Sequence, residues 1–314
     1  MIKKSLKALA RKFGLHLISD YDFQKRNMYL KVLERMLLSS KETCSSACSI
    51  IIFSKDRAMQ LDALLRSMYH YSLNPPKVFV LYNSSNQLFD SAYQELISAH
   101  KHKEAHFIKE VNFNQDLKSL FLKVTTPKVL FLVDDLMFKN QVDFKRFSEV
   151  DTKLFVASLR MGNHLRFSYT LQREQKAPMF ENNSEFQEMI NWSYQQGELD
   201  WAYPLSVDGH LFDTQEMKVL VEELNYKAPN SFEEALQIMT PLFKKRTGVC
   251  FKESIIVNNP CNKVQVENNN IAGHISIEEL NEKWLEGFRI NFEEHKGLLN
   301  ESAHQELGIS FLKR

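Results

Sequence analysis

Residues 128–135 read KVLFLVDD, in which five apolar residues run without a break into two adjacent carboxylates. An apolar run of this kind is typical of a strand buried on both faces inside a largely parallel sheet. Because an unpaired buried charge is costly, Asp134 and Asp135 should lie at the carboxyl end of the strand, where open α/β sheets bind ligands. Two carboxylates suit a hard cation, so the motif predicts a site for Mg²⁺ or Mn²⁺ and a nucleoside diphosphate compound.

The same two residues have an alternative explanation. An Asp side chain often caps the helix that follows a strand, by accepting hydrogen bonds from backbone N–H groups. One aspartate would satisfy such a cap, whereas two in succession after a buried strand are harder to explain in that way. The pair therefore favours a binding site over a cap.

The composition describes a globular and nearly neutral chain. Its 314 residues suit one large α/β domain with or without an appendage, and the 44% of hydrophobic residues can build a full core. Lys and Arg total 40 against 39 Asp and Glu, so the basic excess typical of nucleic-acid binding is missing. No apolar run approaches the roughly 20 residues that span a bilayer, and no signal peptide is visible. The four cysteines include no CxxC pair, which indicates reduced thiols in a cytoplasmic protein.

The N-terminal part of the chain differs from the rest. In residues 1–18, apolar side chains recur at helical spacing with basic side chains between them. This pattern is typical of a helix on an anionic membrane, but it suits equally a helix packed on its own domain or on a partner. A second helix is predicted over residues 22–38. We predict a helical segment over 1–46, a central domain over 47–270, and a helical tail packed on that domain over 271–314.

From residue 47 onward, short apolar runs alternate with helical patterns. These runs are predicted strands at residues 49–53, 77–82, 106–111, 128–133 and 154–158. Strands that alternate with helices of about ten to fifteen residues indicate βαβ units. Right-handed crossovers then place the loops after these strands along one edge of the sheet. The predicted fold is α/β, with a Rossmann-like mixed, mostly parallel sheet flanked by helices.

Polar loops follow the first two predicted strands. After the first strand come Ser54, Asp56 and Arg57, where Asp56 could accept a hydrogen bond from a base or ribose and Arg57 could donate to phosphate. Asp56 could equally cap the helix that follows. Tyr82 and Asn83 end the second strand and are candidates for lining a base pocket, although turn chemistry explains that polar loop equally well.

A further loop follows the fifth predicted strand and contains Arg160 and Asn163. A cation at this edge could neutralise a diphosphate. A salt-bridged arginine on the surface is an equally good explanation.

An aromatic cluster comes next in the chain, with Trp201, Tyr203, Asp208 and His210. Flat aromatic faces beside polar groups suit the stacking of a sugar ring. Trp and Tyr are also common core residues, so the aromatic side chains alone decide little. Gly209 marks a turn, and it would let the backbone approach a ligand closely.

Glu233 and Glu234 lie at the start of a predicted helix. With Ser231 as N-cap, Glu234 falls at position N3 and completes a capping box. Glu233 is not used by that cap, so it is a candidate general base, or else it complements the helix dipole. Asp213 and Ser276 are predicted to cap two further helices.

These motifs resemble those of GT-A nucleotide-sugar glycosyltransferases, in particular the broad family 2 group. The similar features are the strand, polar loop and helix over residues 49–68, the VDD at 133–135 and the acidic helix start at Glu233. The runs FSKDR, LVDD, YPLSVDGH, PNSFEE and NNPCNKVQ are also similar to bacterial glycosyltransferases. The resemblance covers residues 49–266. The usual family motif is Asp-x-Asp, whereas Leu136 follows the pair here.

The resemblance implies transfer of a sugar from a nucleoside diphosphate sugar to an acceptor hydroxyl, with inversion, in polysaccharide synthesis at a bacterial surface. It implies that Asp134 and Asp135 bind Mn²⁺ or Mg²⁺ and the donor diphosphate. It also makes Glu233, with Asp208 as second candidate, the base that deprotonates the acceptor. The nucleotide would be held by Ser54, Asp56, Arg57, Tyr82, Asn83 and Arg160, and the acceptor by Asn163, Trp201, Tyr203 and His210.

The partners expected on this basis are a nucleotide-sugar donor and a glycan or lipid-linked acceptor, with peripheral membrane contact through residues 1–18. A sugar nucleotidyltransferase is one alternative, but it normally has a Gly-rich loop after its first strand. None of the nine glycines lies between Ser49 and Val133. The alternative from another class is a non-catalytic, membrane-associated interaction module.

Overall fold

The computed structural model describes residues 12, 18–39, 47–101, 103–262 and 275–314. The chain forms two compact units, Met1–Lys41 and Glu42–Arg314. The first contains helix α1 (Asp20–Ser39). The predicted amphipathic segment, apart from Lys12 and Ile18, lies outside the described residues. None of the helices described is both long enough and apolar enough to cross a membrane.

The second unit contains one large sheet and several two-stranded pairs. Its strands are β1 (Cys48–Lys55), β2 (Ser72–Leu73), β3 (Lys77–Asn83), β4 (Ala105–Lys109), β5 (Lys128–Val133), β6 (Leu136–Phe138), β7 (Val142–Asp143), β8 (Phe155–Ser158), β9 (Phe167–Ser168), β10 (Arg173–Glu174), β11 (Glu181–Asn182), β12 (Met189–Ser193), β13 (His210–Asp213), β14 (Thr247–Phe251), β15 (Ile256–Asn258), β16 (Phe288–Ile290) and β17 (Phe311–Lys313).

Helices of very different length connect these strands. They are α2 (Ala58–Tyr71), α3 (Gln87–His100), α4 (Phe113–Lys123), α5 (Phe144–Phe147), α6 (Thr214–Glu223), α7 (Pro229–Leu236), α8 (Thr240–Phe243) and α9 (Ile277–Leu285), with short 3₁₀ turns at Leu199–Ala202, Gln237–Met239 and Phe292–His295. The C-terminal segment, predicted to be helical, thus contains α9 and also the antiparallel pair of β16 and β17.

The central sheet has nine strands in the order β11-β12-β14-β8-β13-β5-β1-β3-β4. Strands β4, β3, β1 and β5 are parallel neighbours, and so are β8 and β14. Within this sheet only β12 and β13 run against the others. The predicted mixed, mostly parallel sheet flanked by helices is therefore confirmed.

The strand register brings the polar loops to one edge. Ser54 pairs with Tyr82 and Phe53 pairs with Val133, so the residues after β1, β3 and β5 emerge side by side. Because β13 runs in the opposite direction between β5 and β8, the residues that precede β13 reach this same edge. The edge that contains Asp134 therefore also includes the residues after β8 and the turn that precedes β13.

The strand of the opening motif is the centre of the core. Residues 129–132 of β5 have no solvent-accessible surface, and Ile50, Ile51 and Ile52 of the neighbouring β1 are equally buried. Each such side chain contributes about 1.5–3 kcal/mol of transfer free energy relative to an exposed one. This burial explains why a run without polar alternation forms a strand here.

Three helix starts test the predicted caps. Asp213 accepts a hydrogen bond from the Glu216 amide at 2.9 Å, and Ser276 accepts one from the Glu279 amide at 3.0 Å, so both predicted caps are confirmed. The cap predicted at Ser231 is wrong. Helix α7 begins three residues earlier than predicted, at Pro229, with Ala228 as N-cap, and the fixed φ of proline suits the first helical position. Ser231 lies at N3, where its hydroxyl accepts from the Ala228 amide at 2.9 Å.

Candidate functional site

Asp134 and Asp135 share one buried cation, the guanidinium of Arg57. Nη1 of Arg57 lies 3.0 Å from Oδ1 of Asp134 and 2.8 Å from Oδ2 of Asp135. The three side chains are only 8%, 5% and 11% exposed. Arg57 also donates through Nε and Nη2 to Asn262, at 2.8 and 2.5 Å. The loop after β1 is therefore tied to the loop after β5 by charge-assisted hydrogen bonds.

The other oxygens of the two carboxylates also have donors. Oδ2 of Asp134 accepts from the Lys55 amide at 3.0 Å, and Oδ1 of Asp135 accepts from Nδ2 of Asn258 at 2.7 Å. No helix follows the pair, so the capping alternative is wrong. A cavity of about 10 Å³ lies beside the carboxylates, which is room for one water molecule.

This arrangement does not fit a divalent ion held by both carboxylates. Mg²⁺ and Mn²⁺ need oxygen atoms that face the ion, and Arg57 already lies between the two side chains. Among the residues that the structure describes, no group of three acidic, His or Cys side chains could hold a metal. Asp134 and Asp135 are therefore partners of Arg57 in this arrangement, and the metal stays a prediction.

A second charged cluster is centred on Asp208, in the turn that precedes β13. Its Oδ2 atom accepts from Nε2 of His304 at 2.8 Å and lies 3.8 Å from Nη1 of Arg160. Gly209 makes the turn possible, with a φ of +75°, and a Cβ atom there would come within 2.4 Å of Ile256. The glycine serves the turn and its packing against Ile256, which differs from its predicted approach to a ligand.

Arg160 has an unusual environment for a charged residue. Its side chain is 4% exposed, and its Nε atom has no hydrogen-bond partner among the residues described. The contact with Asp208 is too long for a hydrogen bond. Buried polar groups are nearly always hydrogen-bonded, so the unpartnered Nε of this buried guanidinium indicates that a further acceptor belongs beside it.

His304 was not predicted. Its backbone forms a β-bridge with Asn258, whose side chain donates to Asp135, so the C-terminal segment connects the two charged clusters. Its Nδ1 atom is buried and has no partner within the described part of the chain. No motif surrounds His304 in the sequence, and 96 residues separate it from Asp208. Nothing short of the fold could have found it.

Glu233 lies near the same cluster. It is partly exposed and more than a turn into α7, so the dipole explanation does not apply. Its carboxylate lies 3.4 Å from the Val207 amide. Burial and the charge of Asp208 raise the pKa of Glu233, and the hydroxyl of Tyr203 and the charge of Arg160 oppose this rise. A carboxylate with a raised pKa is the better proton acceptor.

The pKa values of the other acids and of His304 follow from the same contacts. Burial would raise the pKa of Asp208, but the hydrogen bond and charge of His304 outweigh it and lower that pKa. Burial opposes protonation of His304, yet its hydrogen bond to Asp208 raises its pKa. Burial, with the charges of Asp134 and Asp208, raises the pKa of Asp135 to about 6, against the effect of Arg57. Asp208 and Asp135 are thus within electrostatic reach of each other.

Two residues predicted to bind the acceptor are buried, and a third is exposed away from the charged clusters. Trp201 is fully buried between Phe180 and Trp192, so it cannot stack on a sugar. His210 is buried in β13, where Nδ1 donates to the carbonyl of Pro204, and burial lowers its pKa to about 3. Asn163 is exposed, and within the described part of the chain its side chain forms no hydrogen bond with the charged clusters. Each is explained by packing or by surface position. Tyr203 remains, partly exposed, with its hydroxyl bonded to Gln237 at 2.9 Å.

The residues predicted to hold the nucleotide are at the expected edge, but several are occupied by protein contacts. Ser54 hydrogen-bonds the hydroxyl of Tyr93 at 2.6 Å, and Tyr82 stacks on Tyr93 with ring centroids 4.6 Å apart. Asn83 donates to Glu110 at 3.2 Å. The buried pair of Ser54 and Tyr82 therefore supports the loop and does not line an open base pocket.

Asp56 has a strained backbone, with a φ of +56°. Its Oδ1 atom accepts from the Ser85 amide at 2.6 Å. Helix α2 has Arg57 at its N-cap without a side-chain cap, so the predicted capping role of Asp56 is wrong. Non-glycine residues in this region cluster at functional sites, which keeps Asp56 a candidate.

The sequence matches no family model. It is 28% identical over 176 residues to a bifunctional glycosyltransferase, pgtA, of Dictyostelium discoideum. That match covers 49% of this chain and 22% of the relative, so the chain spans about a fifth of the relative's length. The predicted resemblance to a glycosyltransferase is confirmed by this similarity.

Solved structures show more distant likenesses. TarS of S. aureus aligns with a TM-score of 0.43 and 14% identity, over 67% of this chain and 36% of TarS. A nucleotidyl transferase of Methanothermobacter thermautotroptrophicus, Mth528, aligns with a TM-score of 0.37 and 10% identity, over 66% of this chain and 88% of that one. Structural similarity at these TM-scores does not indicate an activity.

Proposed function

We propose that the chain is a glycosyltransferase that moves a sugar from a nucleoside diphosphate sugar to an acceptor hydroxyl. The similarity to a curated glycosyltransferase supports the class of reaction. The location of the active site is supported by four side chains that lie near one edge of the mostly parallel sheet, Asp134, Asp208, Arg160 and Glu233. Open α/β sheets bind ligands at this edge.

The observation that carries the proposal is the buried guanidinium of Arg160, whose Nε atom has no hydrogen-bond partner among the residues described and whose ion pair with Asp208 is long. The planar guanidinium fork matches the oxygens of a diphosphate, and a buried N–H group such as Nε of Arg160 is costly unless a ligand satisfies it. The donor diphosphate is the anion that the proposed reaction brings to this site.

In the proposed step, the acceptor oxygen forms a bond to the anomeric carbon while the bond from that carbon to the diphosphate oxygen breaks. Glu233 takes the acceptor proton, since its raised pKa makes it a better base than Asp208. Arg160 offsets the negative charge that grows on the leaving diphosphate. Inversion follows from the resemblance alone, and the anomeric configuration of the product, read by NMR, tests it.

The predicted Mn²⁺ or Mg²⁺ has no part in this mechanism. Arg57 lies where such an ion would contact Asp134 and Asp135, so no step is derived through a metal. Arg160 and Asp56 are proposed to bind the donor directly. Arg57 is proposed to act indirectly, because it holds the loops after β1 and β5 together. Tyr203 is the one aromatic candidate left for the acceptor side.

The biological setting is proposed on the resemblance and on the N-terminal sequence. We assign a helical segment to 1–46, the transferase domain to 47–270 and a supporting tail to 271–314. The acceptor is proposed to be a glycan or a lipid-linked acceptor in bacterial surface polysaccharide synthesis, at the cytoplasmic face of the membrane. Loss of liposome flotation on removal of residues 1–18 would support peripheral contact, and equal flotation would refute it.

Thermal shift with UDP-, GDP- and CDP-sugars, followed by mass spectrometry of hydrolysis and transfer products, tests the function. We expect one nucleotide class to raise the melting temperature and to lose its sugar on incubation. A nucleotidyltransferase would instead form a nucleoside diphosphate sugar from a nucleoside triphosphate and a sugar phosphate. No response to any nucleotide would favour the interaction module and would refute the proposal.

We expect Glu233→Gln to lower kcat by about 10²- to 10⁴-fold, since the amide cannot accept the acceptor proton. In the wild type, the rate should fall as the pH falls through the raised pKa of Glu233. The variant should lose this acidic limb and keep its affinity for the donor. Kinetics from acidic to neutral pH measure both effects.

Glu234→Gln is the matched control, because the neighbouring side chain is exposed on the same helix. It should keep the wild-type rate and pH profile. An unchanged rate for Glu233→Gln would remove Glu233 from the mechanism and would leave Asp208 as the candidate base.

A further inference from the structure

Two basic side chains meet at one oxygen of Asp208 and leave donors unused. Nε2 of His304 lies 2.8 Å from Oδ2 of Asp208, and Nη1 of Arg160 lies 3.8 Å from the same atom. Nδ1 of His304 and Nε of Arg160 are both buried, and neither has a partner among the described residues. When His304 is protonated, both of these atoms carry a hydrogen. The two side chains then offer two unsatisfied donors beside the carboxylate of Asp208.

The position of His304 is fixed by backbone contacts. The amide of Asn258 donates to the carbonyl of Ala303 at 3.0 Å, and the amide of Gln305 donates to the carbonyl of Asn258 at 2.9 Å. Strand β15 thus holds the histidine on both sides. A side chain held in this way, 21% exposed and paired with a carboxylate, is preorganised to meet a ligand.

The carboxylates at this edge outnumber the guanidinium groups, so a further cation would favour the binding of a diphosphate. The carboxylates of Asp134, Asp135, Asp208 and Glu233 interact electrostatically with one another and with the guanidinium groups of Arg57 and Arg160. Four carboxylates against two guanidinium groups leave an excess of negative charge. A proton added at this edge lowers the repulsion between these carboxylates and a diphosphate.

We propose that His304 binds the donor diphosphate in its protonated form beside Arg160, so that donor binding takes up a proton from solution. This inference rests on the proposed function. It adds His304 to the donor site, together with the proton that His304 binds. His304 thereby supplies positive charge at the edge where Arg57 is neutralised by its two aspartates. It is a binding residue for the donor, and the acceptor proton still goes to Glu233.

The sign of the pH dependence follows from the groups around His304. Asp208 raises its pKa by hydrogen bond and charge, Asp200 raises it further, and burial and Arg160 lower it. Asp135 faces it from the loop after β5. The cationic form is present below the raised pKa of His304 and is lost as the pH rises through it. A bound diphosphate raises that pKa again, so donor affinity should weaken as the pH rises.

Isothermal titration calorimetry of the full chain with UDP, GDP and CDP tests this inference. Each nucleotide that binds is titrated at several pH values, with EDTA or with Mn²⁺, in buffers of different ionisation enthalpy that report proton uptake. We expect roughly tenfold weaker binding at about pH 8.5 than at about pH 6, and uptake of a fraction of a proton that is largest between the pKa of His304 in the free protein and its higher pKa in the complex.

Three variants separate His304 from the other groups. His304→Gln should abolish both the proton uptake and the pH dependence, and should bind as weakly at low pH as the wild type does at high pH. His304→Lys keeps a fixed cation and should retain tight binding at high pH without proton uptake. His106→Gln, at an exposed histidine on β4, should behave as the wild type does.

The outcomes distinguish this inference from the proposed function. Absence of binding by every nucleotide would refute the donor site itself. Binding that does not depend on pH, a pH dependence that survives in His304→Gln, or binding that needs Mn²⁺ and strengthens as the pH rises would each overturn the role of His304 alone. Loss of the pH dependence in His304→Gln and His304→Lys, with binding in EDTA, supports it.

Discussion

Arg57→Met should destabilise the protein by about 3–5 kcal/mol, which is the range seen when one partner of a buried ion pair is removed. The substitution leaves Asp134 and Asp135 next to each other with no cation between them. It also removes the donors to Asn262, so the loop after β15 loses a contact to the loop after β1. Urea unfolding followed by circular dichroism measures the change in the free energy of unfolding.

Two comparisons make this result specific. Arg146→Met removes an exposed pair with Glu188, whose side chains are 47% and 40% exposed, and should cost no more than about 1 kcal/mol. Arg57→Met combined with Asp134→Asn and Asp135→Asn removes the uncompensated charges and should recover a large part of the loss. A loss below about 1 kcal/mol for Arg57→Met would show that the two carboxylates do not depend on Arg57.

The sequence was sufficient to predict which loops lie at the ligand-binding edge of the sheet, because this placement follows from local sequence patterns. An apolar run that ends in carboxylates, repeated strand–helix units and right-handed crossovers together place the ends of β1, β3 and β5 side by side. Asp134 and Arg57 were accordingly predicted at one edge. That they bond to each other was not predicted, because 77 residues separate them and the sequence carries no sign of which cation meets which carboxylate.

The aromatic cluster shows the opposite case. Trp201 and His210 are residue types that suit a binding site and a core equally well, and only the packing decides between the two. The T-shaped contact of Trp201 with Trp192 and the position of His210 inside the sheet place both in the interior. His304 belongs to the site for an equally nonlocal reason, since the C-terminal segment lies along β15.

Arg160→Met should lower kcat/KM for the donor by about 10²- to 10³-fold, the cost of removing one donor that stabilises charge in a transition state. The free energy of unfolding should change little, because Asp208 keeps its 2.8 Å hydrogen bond from His304 and the lost ion pair with Arg160 is long, while the buried Nε without a partner is replaced by an apolar group. This combination of lost activity and kept stability is the reverse of that expected for Arg57→Met. Steady-state kinetics and urea unfolding of the same preparation measure both.

Two further variants complete the test of Arg160: Arg160→Lys keeps the charge, and Arg166→Met is the control. The lysine keeps the charge but loses the planar fork, so it should recover only part of the activity. Arg166 is exposed in the loop after β8, and its replacement should change neither activity nor stability by more than a small factor. If Arg160→Met unfolds several kcal/mol more easily, the guanidinium is a structural partner of Asp208. If it turns over the donor at the wild-type rate, the diphosphate binds elsewhere, because a cation that offsets the leaving charge cannot be removed without cost.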